Sequence, residues 1–224
     1  MNIRIVSFAA LLPLILFVAG CASQEAKDYS GLASASKLEA QKEGPAEYMY
    51  KAPGVDFKQY SKFIIPPVAI YQGADASFGD VPDTDKQAMA DFIRSEFTKV
   101  LSEGGYPVVT KPGPGVAKLQ FTLAGLELTS PVGATLTHLA PAGIAMNLGK
   151  GATKNQGSFM GSVIFAGEIY DSQSDTLLAA FVTKQHASAL DYAAITSKLD
   201  SAKAGVTGGA ELFKARLDKI HKGQ

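Results

Sequence analysis

Cys21 is the residue of this sequence best placed to do chemistry, and it is the only cysteine among 224 residues. The small residues Ala19 and Gly20 precede it, which leaves room for a peptidase to approach the bond before the cysteine. Arg4 and an apolar run over residues 5–19 lie upstream. This layout is typical of a secretory signal peptide, because the run is short for a membrane span and polar sequence follows it. We therefore expect a cleaved secretory signal peptide, and the Cys21 thiol near its end is a nucleophile that no neighbouring residue matches.

Residues 18–21, Val-Ala-Gly-Cys, resemble the lipobox of bacterial lipoproteins. The resemblance implies that a diacylglyceryl group is attached to Cys21, that residues 1–20 are removed, and that the new amino group is acylated, for example with palmitate. Each buried methylene of an acyl chain adds about 0.8 kcal/mol to membrane binding, and a single acyl chain binds only reversibly. Stable anchoring therefore needs more than one acyl chain on Cys21. No aspartate follows the cysteine, where Ala22 and Ser23 stand, so the resemblance also implies sorting to the outer membrane. The alternative is an ordinary cleaved signal with a chance cysteine.

Other residue types that often carry chemistry are not arranged for it. His138, His186 and His221 are the three histidines, and none has a second histidine at metal-ligand spacing or a place in a nucleophile motif. His186, Asp191 and a serine could be combined into a triad, but nothing in the spacing favours that. Glycine-rich stretches lack the lysine-hydroxyl ending of a phosphate loop. We therefore predict a protein that is not an enzyme, with no metal and no cofactor.

Composition indicates one ordinary globular domain. Hydrophobic residues make up 46% of the chain, and 21 basic side chains balance 21 acidic ones. This balance gives no argument for a nucleic-acid partner. We predict three segments: a signal peptide at residues 1–20, a lipidated tether at 21–46 and a periplasmic domain at 47–224.

The tether is rich in Ala, Ser, Lys, Glu and Gln, with few large apolar side chains. We expect residues 22–29 to be flexible and residues 32–42 to form at most a weak helix. Tyr29, Leu32 and Leu38 could dock on the domain, or the whole segment could be disordered. A flexible tether of about 25 residues would hold the domain roughly 25–30 Å from the bilayer.

The spacing of apolar residues predicts an α/β (α+β) fold: a single domain with a mixed or mainly antiparallel sheet and a β-hairpin, packed by an amphipathic helix and C-terminal helices. A capping-box pattern at Thr84 predicts the start of the amphipathic helix, and Gly104 predicts its end. Its charged residues, Glu96 among them, are expected on the solvent side. Near the carboxyl end, Asp191 and Thr207 are expected to cap two shorter helices.

Strands are predicted at several places in the first half of the chain. One spans residues 62–71, and the two prolines inside it cannot donate ladder hydrogen bonds, so it should be bent or lie at an edge. A short strand is expected over residues 106–110. The alternation of apolar residues that begins at Ala117 slips by one position around Gly125, which predicts a β-bulge.

The clearest hairpin joins strands over residues 159–170 and 176–184. Glu168 and Asp171 flank the end of its first strand, and we expect both to face solvent or cap the turn. Residues 130–157 form a long segment rich in Gly, Ala and Pro. A segment of this kind in a compact domain is either functional or mobile.

Several different short motifs are spread over nearly the whole chain after the signal peptide. They are Tyr29-Ser30-Gly31-Leu32; Tyr50-Lys51-Ala52-Pro53-Gly54-Val55-Asp56 leading to Tyr60; Pro67-Val68 with Tyr71; and Glu168-Ile169-Tyr170-Asp171-Ser172 with Leu178-Ala179-Ala180. Together they resemble the DUF3313 family of bacterial lipoproteins, whose function is uncharacterised. The chain departs from that pattern at Ser174-Asp175, where such turns often have Thr-Gly, and at Ala166-Gly167. The order of elements also resembles periplasmic α/β domains such as the penicillin-binding-protein activator lipoproteins and the curli secretion lipoprotein.

Three hypotheses about function follow. The first is a non-catalytic envelope lipoprotein that faces the periplasm, is held to the membrane by lipid on Cys21, and binds an unidentified envelope protein through segment 130–157 or a sheet edge. The second is a component of an outer-membrane secretion or pore assembly that inserts residues 130–170 as hairpins, although residues 132–157 lack the required alternation. The third is a cell-envelope hydrolase that uses His186. The sequence leaves homo-oligomerisation open.

Overall fold

The computed structural model describes residues 25–129, 161–187 and 196–223. Within them, seven strands form one mixed sheet and two long helices pack on one of its faces, which confirms the predicted fold class. In chain order the elements are β1 (Glu39–Ala40), β2 (Tyr48–Lys51), β3 (Lys62–Ile64), β4 (Ala69–Ile70), α1 (Asp83–Glu103), β5 (Val116–Glu127), β6 (Ser162–Asp171), β7 (Leu177–Gln185) and α2 (Asp200–Lys222). The predictions for the signal peptide, Cys21, segment 130–157, His138 and Asp191 lie outside the described residues.

The predicted hairpin is confirmed as β6–β7 at the centre of the sheet. β6 pairs antiparallel with β5 and β7, and β7 pairs antiparallel with β2, which gives the order β1-β2-β7-β6-β5-β3. The predicted bulge is present, because the register of β5 against β6 shifts between Leu123 and Gly125. Glycine is needed there, since an added Cβ would lie 2.8 Å from the Ser77 backbone oxygen.

The two prolines do divide the strand expected over residues 62–71. The chain forms β3 before them and β4 after them, and both short strands pair parallel with β5. The prediction of a strand over residues 106–110 is wrong. Only a single isolated bridge forms there, between Val108 and Phe63. Pro107 has no N–H to donate, and the turn that begins at Lys111 ends the pairing.

Helix α1 starts earlier than its capping-box pattern predicts. Pro82 occupies the N-cap position, no side chain caps the helix, and Thr84 is already helical. The predicted end is confirmed, since Gly104 is the C-cap and Gly105 follows with φ of 86°. The expectation for Glu96 is wrong: it is buried and accepts a hydrogen bond from Thr207 Oγ1 at 3.0 Å.

Helix α2 is one continuous helix, so the prediction that Thr207 caps a separate last helix is wrong. Thr207 lies in its middle and contacts α1 through Glu96. Gly205 of α2 allows close packing against the sheet rather than ending the helix. An added Cβ at Gly205 would lie 2.6 Å from the His186 backbone nitrogen, so the helix backbone approaches the end of β7 closely.

The two faces of the sheet have different covers. Helices α1 and α2 bury the larger apolar cluster, which includes Phe97, Phe121 and Phe165. Tyr29 and Leu32 bury a smaller cluster on the other face. The predicted tether over residues 21–46 is therefore too long, because Tyr29 is fully buried and residues 35–37 form a 3₁₀ turn. Docking of Tyr29, Leu32 and Leu38, which the sequence left open, is confirmed.

Candidate functional site: an apolar cleft beneath the C-terminal helix

Helix α2 changes the size of its sheet-facing residues along its length. The first half presents small residues such as Ser201, Ala202 and Gly205, and Ser201 Oγ donates to the Gly161 carbonyl oxygen at 2.7 Å. The second half presents larger residues, among them Phe213 and Leu217. Small residues let a helix sit close to a sheet, whereas large ones hold it away. A cleft remains between the second half of α2 and the strands.

The cleft has a volume of about 200 Å³. Aromatic rings from both the sheet and the helices form much of its wall: Phe57, Phe63, Phe97, Phe165, Phe181 and Phe213. Ala179 of β7 is small and gives it depth, and Gly209 of α2 adds no side chain to it. The cleft is therefore a concave, mostly apolar site that is smaller than the pockets that hold drug-sized ligands.

The rim of the cleft carries exposed apolar surface and positive charge. Leu212 lines it and is 39% exposed, and it is the one large hydrophobic residue of the described ranges that is exposed. Of the described residues, the charged ones that line the cleft are Lys51 and Arg216, and both are basic. Lys51 Nζ lies 5.5 Å from the centre of the Phe57 ring. The opening is therefore apolar and electropositive.

Polar contacts fix the end of α2 and so hold the cleft in shape. Tyr106 Oη donates to Asp218 Oδ1 at 2.9 Å, and Lys214 Nζ pairs with Asp218 Oδ2 at 2.7 Å. His221 Nε2 lies 3.1 Å from the Tyr60 carbonyl oxygen. Burial, and then the Asp218 carboxylate, raise the pKa of Tyr106 to about 12. The Lys214 and Tyr106 hydrogen bonds lower the pKa of Asp218.

The opposite face of the sheet carries a second organised region, residues 29–34, which we call the latch. Tyr29 Oη donates to Ser77 Oγ at 3.0 Å, and the ring of Tyr29 stacks edge-on against Tyr71 with centroids 5.3 Å apart. Tyr29 has a φ of 45°, a left-handed conformation that is unfavourable for most residues. Its contacts must outweigh that strain. Burial raises the pKa of the Tyr29 hydroxyl.

Tyr71 and Asp75 hold the latch in place through hydrogen bonds. The Tyr71 hydroxyl accepts from Gly31 N at 2.8 Å and donates to Asp75 Oδ1 at 2.7 Å. Asp75 also accepts from Ser30 N at 3.1 Å. The Tyr71 hydrogen bond, followed by the Ser30 bond, lowers the pKa of Asp75. Gly31 is needed because an added Cβ would lie 2.9 Å from the Tyr71 ring.

Glu168 and Asp171 have different environments. Glu168 is only 3% exposed and accepts from Ser34 N at 2.7 Å, so the solvent-facing expectation for it is wrong. It faces the latch, which the hairpin pattern alone could not reveal. Asp171 does cap the turn, accepting from Gln173 N and Ser174 N, and it also accepts from Tyr60 Oη at 3.1 Å. The Ser174 backbone bond lowers the pKa of Asp171.

The histidines of the described ranges lie apart from one another. His186 is half-buried at the end of β7, its Nδ1 has no hydrogen-bond partner among the described residues, and burial lowers its pKa. His221 lies at the far end of α2. Over residues 25–129, 161–187 and 196–223, no three His, Cys, Asp or Glu side chains are grouped to hold a metal. Within the same ranges, no helix has the length and apolar character needed to cross a membrane.

The sequence interpretation did not find the cleft. A signal for it exists in α2, where small residues up to Ala210 give way to Leu212, Phe213, Leu217 and Ile220. That pattern locates a wider gap only once the position of the strands is known.

The model of the family described as "Protein of unknown function (DUF3313)" matches residues 28–213. The chain belongs to this family, as its motifs predict. No protein of curated function matches the chain.

Solved structures with a similar outline include three bacterial proteins. The PelC dodecamer from Paraburkholderia phytofirmans is 12% identical at a TM-score of 0.38, covering 77% of this chain and 94% of that one. Protein XCC0632 from Xanthomonas campestris is 11% identical at a TM-score of 0.37, covering 78% of this chain and 91% of that one. A putative lipoprotein from Caulobacter crescentus is 12% identical at a TM-score of 0.35, covering 75% of this chain and 95% of that one. These likenesses are too weak to transfer a function.

Proposed function

We propose that this DUF3313 protein is a lipid-anchored protein of the bacterial outer membrane that faces the periplasm and works by binding rather than catalysis. The observation that carries the binding role is the apolar cleft beneath α2, which is preformed and has a basic rim. The support for the anchor is the lipobox pattern that ends at Cys21. An apolar site on a membrane-tethered domain suits a protein that handles an amphiphilic molecule of the envelope.

The docked latch changes the expected distance between domain and membrane. Because Tyr29 is buried, only residues 22–28 separate the lipidated Cys21 from the folded part. Seven residues of flexible chain have an average span of about 15 Å, and fully extended they reach roughly 23–25 Å. The anchor would therefore hold the domain close to the lipid headgroups, nearer than a 25-residue tether would.

The secretion or pore alternative loses support from the sheet. It requires residues 130–170 to insert into the membrane, yet β6 takes residues 162–170 into the middle of the sheet between β5 and β7. The hydrolase alternative has no specific support in the described residues, where His186 Nδ1 has no hydrogen-bond partner. The position of β6 and the surroundings of His186 therefore favour the binding role over both alternatives.

The anchor is tested by expressing the full-length chain in a Gram-negative host that is fed an alkynyl palmitate analogue. The wild-type protein should carry the label and fractionate with the outer membrane, whereas Cys21→Ser should carry none. A second variant, Ala22→Asp, should keep the label but move to the inner membrane. Equal labelling of wild type and Cys21→Ser would overturn the anchor.

A further inference from the structure

We infer that the cleft beneath α2 binds a medium-chain fatty carboxylate, with the acyl chain among the aromatic side chains and the carboxylate at Arg216. This assignment rests on the proposed binding role and names its ligand class. It does not depend on the lipid at Cys21.

The size of the cleft suits one short acyl chain. An apolar protein cavity of about 150 Å³ holds a benzene molecule, and this cleft has about 200 Å³. A segment of roughly eight carbons therefore fits, and its remaining atoms extend to the open rim at Leu212. Two acyl chains, as in a phospholipid, do not fit together. An amphipathic helix from a protein partner is about 10–12 Å across with its side chains and is too wide.

The charges of the rim suit an anionic head group. Among the residues that the structure describes, Arg216 and Lys51 are the charged ones that line the cleft, and no described carboxylate there competes for a bound anion. Arg216 is exposed, and among the described residues no acidic side chain pairs with it. A guanidinium presents paired N–H donors that match the two oxygens of a carboxylate. A head group held at Arg216 leaves the chain to enter between α2 and β7.

Two adjacent glycines of α2 provide a matched test of the cleft. Gly209 lines the cleft, and a Cβ added there would lie 3.5 Å from the Phe165 ring, so a larger side chain would occupy the ligand space. Gly208 is exposed, and an added Cβ would have no neighbour within 4 Å. Gly209→Leu therefore fills the site, whereas Gly208→Leu makes the same change outside it.

The experiment titrates decanoate, ¹³C-labelled at its carboxyl carbon, into the purified full-length protein held in nanodiscs of zwitterionic lipid, with empty nanodiscs subtracted. We expect saturable binding of one decanoate by wild type and Gly208→Leu, with affinities within about twofold. Gly209→Leu should bind at least tenfold more weakly. Hexanoate should bind wild type more than about tenfold more weakly than decanoate, because each buried methylene contributes about fourfold in affinity. Equal binding by the two glycine variants would overturn the assignment.

The head-group contact is tested on the same helix. Arg216→Glu should weaken decanoate binding about tenfold, whereas Lys219→Glu, an exposed charge reversal outside the cleft, should change it less than twofold. Arg216 is exposed, so this pair tests the site even if Gly209→Leu fails to fold. Equal affinity for decanoate and decyltrimethylammonium would overturn the anionic preference. Absence of decanoate binding by a palmitate-labelled, outer-membrane protein would overturn the ligand while leaving the anchor in place.

Discussion

The two faces of the sheet are stabilised by different kinds of contact. On the helix face, α1 and α2 bury a continuous group of rings, such as Phe97 and Phe121, whose centroids lie 4.3 Å apart. On the latch face, a short irregular segment covers only a few apolar residues of the sheet. Hydrogen bonds hold that segment at Tyr29, Gly31 and Ser34.

In our proposal, this difference separates ligand binding on the helix face from membrane attachment on the latch face. The helix face buries the larger apolar cluster and also contains the cleft. The latch face has little area, so its stability depends on a few specific contacts, and it receives the chain from the proposed anchor. Substitutions should therefore be poorly tolerated at the latch and well tolerated at the rim of the cleft.

The largest expected effect is at the latch residue Tyr29. Tyr29→Ala removes a fully buried ring, and truncations of this kind cost about 3–5 kcal/mol of unfolding free energy. Leu212→Ala on the exposed rim should cost less than about 1 kcal/mol. Denaturant unfolding of both variants checks the comparison. Similar losses in the two would show that the faces do not differ as we describe.

A smaller effect is expected from alanine at two glycines. Gly31→Ala should destabilise the fold by about 1–3 kcal/mol, because its Cβ would press on the Tyr71 ring and disturb the bond to Asp75. Gly208→Ala should instead stabilise it by about 0.5–1 kcal/mol, since alanine favours the exposed helix. Thermal unfolding reports both signs. A neutral Gly31→Ala would contradict the close packing of the latch.

The contribution of a single latch hydrogen bond is smaller again. Tyr29→Phe keeps the ring but removes the donor to Ser77 Oγ, and such a loss typically costs about 1 kcal/mol. Chemical denaturation measures it, with the double variant Tyr29→Phe/Ser77→Ala as the control. If the bond matters, the double variant should lose less than the sum of the two single variants. Strict additivity would indicate that the hydroxyls do not interact.

The smallest effect concerns the start of α2 on the helix face. The hydrogen bond from the Ser197 side chain lowers the pKa of Asp200 to about 2. The backbone N–H groups of Thr196 and Ser197, which also donate to Asp200, contribute to this shift. Because the pKa is lower in the folded state, the stabilisation is complete above pH ~4 and is lost as the pH falls toward ~2. Asp200→Asn should flatten the stability profile between those values. Urea unfolding at several pH values measures this, and an unchanged acid limb would contradict it.

Local patterns predicted the features that depend on local geometry. The bulge near Gly125 follows from the break in the two-residue alternation of apolar residues along β5. The end of α1 follows from the helix-terminating tendency of Gly104. Contacts between distant segments could not be predicted in this way. Thr207 has the residue type of a cap, yet it lies inside a helix because α2 packs against α1 through Glu96. Glu168 is buried because residues 134 positions earlier fold over it.

The candidate site depends entirely on such distant packing. Its wall joins residues of β2, β7, α1 and α2, and none of these segments indicates a cavity alone. Only Cys21 has chemistry that its immediate neighbours predict, and its lipidation stays a prediction.

The central claim is that the helix face, and not the latch face, binds the ligand. Methyl-labelled full-length protein in nanodiscs, saturated with decanoate, tests it through nuclear Overhauser effects between ligand and protein. We predict contacts from the decanoate chain to Leu217 and Ile220, which line the cleft, and none to Leu32 of the latch. Contacts to Leu32, or none to the cleft residues, would contradict the claim.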